Sequence, residues 1–233
     1  MVITPELLAR FPILKPLPLQ AHEELAARSS IEKFARRGIV IRAGNREESL
    51  CFLFEGRLQG VDFTIDGREV GLYFVEPGDF CGELGLFDGG PQPEFVIALT
   101  RAVVVKVPID SMRKVMMETP GIVNMLGARL ASRVRQLTMQ RSLLGLPNVA
   151  QRVCCQLWLL VPSSEKQKMS QAQIGNPPTH MEIAIMLNLS RESVTRVFQA
   201  LQNKKIVRRD GPSRLIVDDL PSLKKLAEGK EVY

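Results

Sequence analysis

The sequence lacks the features of membrane and secreted proteins. No apolar run reaches the ~18 residues needed to cross a bilayer. The N-terminal stretch has neither the basic segment nor the apolar core of a signal peptide. These absences predict a cytoplasmic protein. The 233 residues, 45% of them hydrophobic and 24% charged, suffice for two modest domains with separate cores.

Metal-binding and catalytic motifs are scarce as well. The chain has four cysteines and two histidines, and no CxxC pair occurs. Adjacent Cys154 and Cys155 cannot close an unstrained disulfide. We therefore predict no zinc or iron–sulfur site and interpret the cysteines as buried hydrophobes, except that Cys81 stays a candidate redox thiol. No Ser–His or Cys–His pair that could form a catalytic nucleophile is apparent, so the sequence does not suggest an enzyme.

From Ile31 to Val107, short runs rich in Val, Ile and Phe alternate with glycine-containing turns. Asp66-Gly67 between alternating segments is a strong hairpin signal. Such a series predicts an antiparallel barrel or jelly roll. Jelly-roll metal enzymes need histidine and carboxylate ligands on neighbouring strands. Because no histidine lies in this region, we disfavour that class.

Residues 179–205 are typical of two short helices joined by a tight turn. Thr179 and Glu182 fit a capping box, and Ser190 can cap the second helix. Asn188 between them tolerates a left-handed backbone. The spacing predicts that the second helix buries Val194, Val197, Phe198 and Leu201 and exposes Arg191, Glu192, Ser193, Thr195 and Arg196.

This exposed set is either a solvated surface or the reading face of a helix-turn-helix. Arginine can donate two hydrogen bonds to guanine, and glutamate can accept one from cytosine. Five of the six net positive charges lie from Val149 onward. A basic group there suits phosphate contacts and includes Lys204, Lys205, Arg208, Arg209 and Arg214. We favour DNA binding, with a β-hairpin wing formed by IVRRD and RLIVDD.

A long helix is predicted over residues 121–146, interrupted only by Gly127. Its apolar residues approximate a heptad seam formed by Val123, Leu126, Leu130, Val134, Leu137 and Leu144. The stripe either faces the chain's own core or pairs two subunits in a coiled coil. We favour the coiled coil because a dimer places two recognition helices ~34 Å apart, one turn of duplex.

The predicted fold class is therefore α+β, in three parts. Residues 1–118 form an N-terminal antiparallel β-roll (jelly roll) with preceding helices, and residues 119–147 form a long dimerisation helix and hinge. Residues 148–233 form a winged helix-turn-helix, which a polar loop precedes.

These parts together resemble the CRP/FNR family of bacterial transcription regulators along nearly the whole chain. PGDFCGELGLF, residues 77–87, is similar to the family's cyclic-nucleotide-binding-type β-roll, and residues 182–196 are similar to its helix-turn-helix. The resemblance implies a homodimeric activator that works with RNA polymerase at a palindromic, TGTGA-like site. It implies base reading by Arg191, Glu192 and Arg196. The implied phosphate contacts are Thr179, His180, Ser190, Ser193, Thr195, Lys204 and Lys205.

The resemblance fails at one informative place. In cyclic-AMP-binding members an Arg-Ser or Arg-Thr pair follows the Gly-Glu and holds the cyclic phosphate. Here residues 88–95 read DGGPQPEF, so the pair becomes Gln92-Pro93 or Pro93-Glu94. Neither supplies a guanidinium, and Glu94 would repel a phosphate. We predict weak or no binding of cyclic AMP and assign no cofactor.

Three accounts of regulation stay open. In the first, the pocket takes another ligand, through residues that comprise Gly82, Glu83, Leu84, Gln92, Glu94, Phe95, Leu137 and Thr138. In the second, Phe95 fills the pocket and protein abundance sets activity. In the third, Cys81 at the pocket mouth senses oxidants. An alternative for the whole chain is a β-roll regulatory module, responsive to a ligand or to thiol oxidation, that binds protein rather than DNA.

Overall fold

The computed structural model describes residues 2–168, 170–211 and 213–231. The chain forms two compact units, Met1–Leu137 and Thr138–Tyr233. Each unit contains its own apolar core. The mixture of antiparallel sheets, one long helix and a C-terminal helix-turn-helix confirms the predicted α+β class. The predicted three-part division at residues 118 and 147 stays a prediction, since the two units divide inside the long helix.

The first unit is built from short helices and eight described strands. Its helices are α1 (Pro5–Leu8), α2 (Leu19–Arg28), α3 (Leu84–Asp88) and α4 (Ile109–Glu118). Its strands are β1 (Ser30–Phe34), β2 (Ile39–Ile41), β3 (Ser49–Glu55), β4 (Leu58–Phe63), β5 (Glu69–Val75), β6 (Phe80–Cys81), β7 (Phe95–Ala98) and β8 (Ala102–Pro108).

These strands form two antiparallel sheets, in the orders β1-β8-β3-β6 and β2-β7-β4-β5. The β4–β5 connection is the hairpin predicted at Asp66-Gly67. Thr64 N donates to Arg68 O at 2.9 Å, and Gly67 takes a φ of 79°, which glycine adopts without strain. The two-residue strand β6 was not predicted, because so short a segment shows no alternation.

The long helix α5 (Pro120–Leu144) belongs to both units. Most of the predicted seam is exposed: Val134 is 62% exposed, and Val123, Leu137 and Leu144 are also open to solvent. Leu130 is half-buried, and Leu126 corrects our assignment, because it is 0% exposed within the core of the first unit. It lies one residue before Gly127, on the side of α5 that faces the β-roll.

The second unit is a helical domain with a three-stranded sheet. Its helices after α5 are α6 (Val149–Leu160), α7 (Ser163–Lys168), α8 (His180–Leu187), α9 (Arg191–Asn203) and α10 (Leu220–Ala227). Its strands are β9 (Ala172–Gly175), β10 (Val207–Arg209) and β11 (Arg214–Val217), in the order β10-β11-β9. The β10–β11 pair is the predicted wing; Pro212, which lies between these strands in the sequence, is outside the described residues.

The stretch before α8, predicted as a polar loop, contains α7 and β9 instead. β9 pairs antiparallel with β11, with Ala172 opposite Val217 and Ile174 opposite Leu215. Ala172 and Ile174 of β9 are buried, whereas Gln173 between them is exposed. Two apolar residues in a polar segment are too weak a signal to predict a strand. In the structure they complete the apolar face of the three-stranded sheet β10-β11-β9, which we call the wing sheet.

Within residues 2–168, 170–211 and 213–231, no helix is both long and apolar enough to cross a bilayer. In that part of the chain, no group of three His, Cys, Asp or Glu side chains is arranged to hold a metal ion.

Candidate nucleic-acid interface

The start of α8 is fixed by the predicted capping box. Glu182 N donates to Thr179 Oγ1 at 3.2 Å, and Thr179 N donates to the Glu182 carboxylate at 2.9 Å. Two backbone donors that the helix leaves free are thereby satisfied. At the other end, Asn188 adopts the left-handed conformation with φ 50° and turns the chain toward α9.

The second helix, α9, is anchored through one apolar face. Ser190 caps it by accepting from Ser193 N at 3.1 Å. The four residues predicted to be buried all lie in the core of the second unit: Val194, Val197, Phe198 and Leu201. This anchoring leaves the opposite face of the helix available for contacts.

The exposed face of α9 begins with charged side chains. Arg191, Glu192 and Arg196 are all exposed. Arg196 Nη2 donates to Ser193 Oγ at 3.3 Å, and the Ser190 and Ser193 hydroxyls lie 3.0 Å apart. Ser193 therefore orients the Arg196 guanidinium, and the first two turns of α9 present two guanidinium groups and one carboxylate to solvent.

His180 and Thr195 connect the two helices. His180 Nδ1 lies 3.0 Å from Thr195 Oγ1. The imidazole also packs on Phe198, with ring centroids 4.3 Å apart and a tilt of 35°. The ring is half-buried, so its outer part stays accessible beside the charged face of α9.

The predicted basic group is partly neutralised. Arg208 pairs with Asp218 at 3.1 Å, and Arg214 pairs with Asp210 at 3.1 Å. Lys204 and Lys205 are exposed at the end of α9, as is Arg209 in the wing. Arg208 and Arg214 are thus paired with carboxylates, and all five cations of this group are exposed.

The interior of the β-roll contains a second set of polar and charged side chains. We call it the interior polar cluster, and it comprises Tyr73, Glu83, Gln92, Glu94 and Arg133. All five are buried. The Arg133 guanidinium carbon lies 3.5 Å from the centroid of the Tyr73 ring, and its Nη2 lies 3.7 Å from Glu83. Arg133 belongs to the part of α5 that lies in the first unit.

Hydrogen bonds and burial complete this cluster. The Tyr73 hydroxyl donates to the Glu94 carboxylate, and Gln92 Nε2 donates to Gly82 O at 3.3 Å. Burial raises the pKa of Glu83, against the opposing effect of the Arg133 charge. Burial, with the neighbouring Glu94 charge, also raises the pKa of Tyr73 well above its usual value. Inside the roll, Glu83 therefore faces the Arg133 guanidinium, and Glu94 accepts from the Tyr73 hydroxyl.

The residues predicted for an effector pocket lie in different surroundings. Glu83, Gln92 and Glu94 belong to the interior polar cluster, Gly82 O accepts from Gln92, and Leu84 is half-buried at the start of α3. Phe95 does not fill this interior: it packs against Phe63 at 5.4 Å, in a small cluster with Val61, Ile97 and Leu99. Leu137 and Thr138 are exposed on α5.

Cys81 is fully buried rather than placed at a pocket mouth. It lies opposite Cys51 in the β3–β6 pair, and its thiol donates to Cys51 O at 3.8 Å. The neighbouring Cys51 and burial raise the pKa of Cys81 well above its usual value. Since the thiolate is the reactive species, this environment gives an unreactive thiol and corrects the location that we assigned to it.

Tyr73 and Arg133 were missed in the sequence. Neither belongs to a motif, and only a glycine in the opposite strand could have pointed to the tyrosine. Gly60 pairs with Tyr73, and a Cβ atom at Gly60 would lie 2.5 Å from Tyr73 Cζ. Glycine inside a strand often marks such a close approach. Arg133 could not have been distinguished from the other arginines of α5.

The chain is similar in sequence to known domain families and proteins. The cyclic nucleotide-binding domain family matches residues 31–119, and the Crp-like helix-turn-helix domain family matches residues 151–226. The CRP-like cAMP-activated global transcriptional regulator of Mycobacterium tuberculosis is 28% identical over 213 residues, which cover 91% of this chain and 95% of that protein. The cAMP-activated global transcriptional regulator CRP of Pasteurella multocida is 27% identical over 187 residues, 80% and 89% of the two chains.

The fold also resembles solved structures. The structure of FixK2 from Bradyrhizobium japonicum matches with a TM-score of 0.71 and 19% identity, over 85% of this chain and 96% of that one. At this level of identity the similarity concerns the fold alone.

Proposed function

Because the chain belongs to the CRP/FNR family of transcription regulators, we propose that it is a cytoplasmic activator that binds a palindromic DNA site as a homodimer. The observation that carries this proposal is the exposed face of α9. Its arginines and glutamate stand on a helix whose other face is buried and whose start is capped. Such a helix can enter a major groove without unfolding.

Three side chains of α9 read bases in this proposal. Arg191 and Arg196 donate to guanine O6 and N7, and Glu192 accepts from cytosine N4. A TGTGA-like half-site offers these partners. Backbone phosphates are contacted around them by the hydroxyl, imidazole and ammonium groups of Thr179, His180, Ser190, Ser193, Thr195, Lys204 and Lys205, which set the register of the helix on the duplex.

The dimer forms along α5. Val123, Leu130, Leu137 and Leu144 follow one another at intervals of seven residues, and Val134 lies four residues after Leu130. This is the a/d spacing of a coiled coil. All except Leu130, which is half-buried, are exposed. Exposed apolar side chains at this spacing support pairing with a second copy.

The interior polar cluster supports regulation without cyclic AMP. Glu83 is buried beside the Arg133 guanidinium, and Glu94 is buried and accepts from the Tyr73 hydroxyl. A cyclic phosphate would bring a further negative charge to an enclosed site that already contains two carboxyl groups. We propose that the chain's own side chains fill this site in the DNA-binding protein.

Selection from a random-sequence duplex library with the full chain tests the DNA-binding function. We expect enrichment of a palindrome whose TGTGA-like halves are centred about one helical turn apart. Gln199, exposed on the same helix beyond its first two turns, gives a matched control. Gln199→Ala should select the same sequence, whereas Arg196→Ala should lose preference at one position of each half-site. Failure of the wild type to enrich any sequence would instead favour the protein-binding module.

Sedimentation of seam variants tests the dimer. Val134→Lys with Leu137→Lys should give a monomer, since two charges would enter each side of the apolar seam. Met139 is also exposed but lies two residues past Leu137, outside the a/d positions. Met139→Lys should therefore remain a dimer. A dimeric double variant would place the subunit interface elsewhere.

Isothermal titration with cyclic AMP tests the closed site. We expect no saturable heat, and the same duplex affinity with and without the nucleotide. Binding at micromolar concentration or tighter would overturn this part of the proposal.

An in vitro transcription assay tests activation. Transcription by purified RNA polymerase from a promoter bearing the selected site should increase on addition of the protein; a decrease would make it a repressor.

A further inference from the structure

The position of His180 differs from that of the other polar residues at the interface. It is the first residue of α8, but both of its side-chain contacts are made to α9. The Nδ1 atom lies 3.0 Å from Thr195 Oγ1, and the ring packs 4.3 Å from the ring of Phe198. A ring fixed in this way has one nitrogen, Nε2, left to contact a partner.

The charges that face this ring come from two neighbouring elements. Arg191 lies at the start of α9, and Arg209 lies on β10. On its own helix, Glu182 is engaged by the backbone N–H of Thr179 in the capping box. Burial, then Arg209 and Arg191, lower the pKa of His180. These surroundings favour the neutral imidazole in the unbound protein.

We propose that DNA binding takes up a proton at His180, so that this residue makes the affinity for the duplex depend on pH. The inference rests on the proposed DNA-binding function. A backbone phosphate at this face brings negative charge toward the ring and offsets the field of Arg191 and Arg209. The phosphate charge favours the protonated imidazole, whereas burial and the two guanidinium groups favour the neutral one.

Protonation also changes what the pair of side chains can donate. A neutral imidazole has one N–H, whereas imidazolium has two. With both present, Nδ1–H donates to Thr195 Oγ1 and Nε2–H donates to a phosphate oxygen. The Thr195 hydroxyl can then donate its hydrogen to the same DNA backbone. His180 thus acts as a phosphate contact and as a positioning residue for Thr195.

The sign of the pH dependence follows from these two states. The pKa of His180 is higher in the complex than in the unbound protein. The association constant is therefore constant above the pKa of the complex, rises as pH falls between the two values, and is constant again below the pKa of the unbound protein. One proton per recognition helix sets a limit of about tenfold per pH unit for each half-site.

Fluorescence anisotropy with the full chain and a rhodamine-labelled selected duplex measures this effect between pH 6 and pH 8.5 at fixed ionic strength. We expect the wild-type affinity to increase at least about fivefold from pH 8 to pH 6. His180→Gln, which cannot be protonated, should give an affinity that does not change over this range. The chain has only two histidines, and the other, His22, lies in α2 of the first unit. His22→Gln should keep the wild-type pH dependence.

Nuclear magnetic resonance of the imidazole Cε1–H signals provides a second measurement that needs no substitution at His180. The two histidine signals are assigned with His22→Gln, and the His180 signal should titrate at higher pH when the duplex is present. Sequence-specific binding with no pH dependence, or an unchanged pH dependence in His180→Gln, would overturn the inference and leave the proposed function intact. Loss of sequence-specific binding at every pH would overturn both.

Discussion

The exposed face of α9 and the interior polar cluster contain similar groups in opposite surroundings. Each combines arginine with glutamate. On α9, Arg191, Glu192 and Arg196 are open to solvent. In the β-roll, Arg133 is 6% exposed and contacts Tyr73 and Glu83. The first set has its hydrogen-bonding groups available to a partner, whereas the second is enclosed within the chain.

This difference separates two roles of charge. A buried ion pair stabilises its surroundings only while both members remain, because removal of one leaves an uncompensated charge. Exposed charges contribute little to folding but can be desolvated by a ligand. Variants in the two regions should therefore affect different measurements: unfolding for the cluster and DNA affinity for α9.

The largest effect is expected for Arg133→Met. The variant leaves the buried Glu83 without its ion-pair partner, which should lower the free energy of unfolding by about 3–5 kcal/mol in urea titrations. Arg135, exposed on the same helix, provides the control. Arg135→Met should change stability by no more than about 0.5 kcal/mol. Equal losses in the two variants would remove the contrast between the regions.

Gly60→Ala should also destabilise the first unit. The new methyl group would collide with the Tyr73 ring, at a cost of about 2–3 kcal/mol. In a Tyr73→Leu background the same substitution should cost less, since the ring is gone. Gly121, whose added Cβ meets no atom within 4 Å, is the control site. A full cost in the leucine background would mean that the ring is not the obstacle.

Arg196→Ala should leave unfolding unchanged and reduce affinity for the selected duplex by about 2 kcal/mol. Anisotropy titrations against selected and scrambled duplexes distinguish base reading from general attraction. Only the selected duplex should lose affinity. If both duplexes weakened equally, Arg196 would be a phosphate contact, and the proposed reading face would be wrong at this position.

Lys205→Ala should have the smallest effect and should not depend on sequence. Loss of one phosphate contact should reduce the slope of log affinity against log salt concentration by about 0.9 for each subunit of the proposed dimer. Selected and scrambled duplexes should change alike in a salt titration. Discrimination between them by Lys205 would contradict a purely electrostatic role.

The helix-turn-helix could be predicted closely because its signals are local. The capping box at Thr179 and Glu182, the turn at Asn188 and the buried face of α9 are all encoded within about 25 residues. Hydrophobic periodicity and turn chemistry decide such a segment, and distant residues are not needed.

The interior polar cluster could not be predicted in this way because its members come from distant parts of the chain. Tyr73 meets Arg133 only after β5 and α5 have packed together, a separation of sixty residues. The same reason explains Leu126: the apolar stripe of α5 was recognised, but its division between a core face and an exposed seam depends on the β-roll. Segment 172–175 was missed because its pairing with β11 determines its structure.

The wing sheet has a consequence for solubility. Its order, β10-β11-β9, makes β10 an edge strand of three residues, two of which are Arg208 and Arg209. Short, cationic edges repel one another and discourage the strand-to-strand pairing that begins aggregation. We therefore expect the two arginines that favour DNA binding also to oppose aggregation of the protein when no DNA is present.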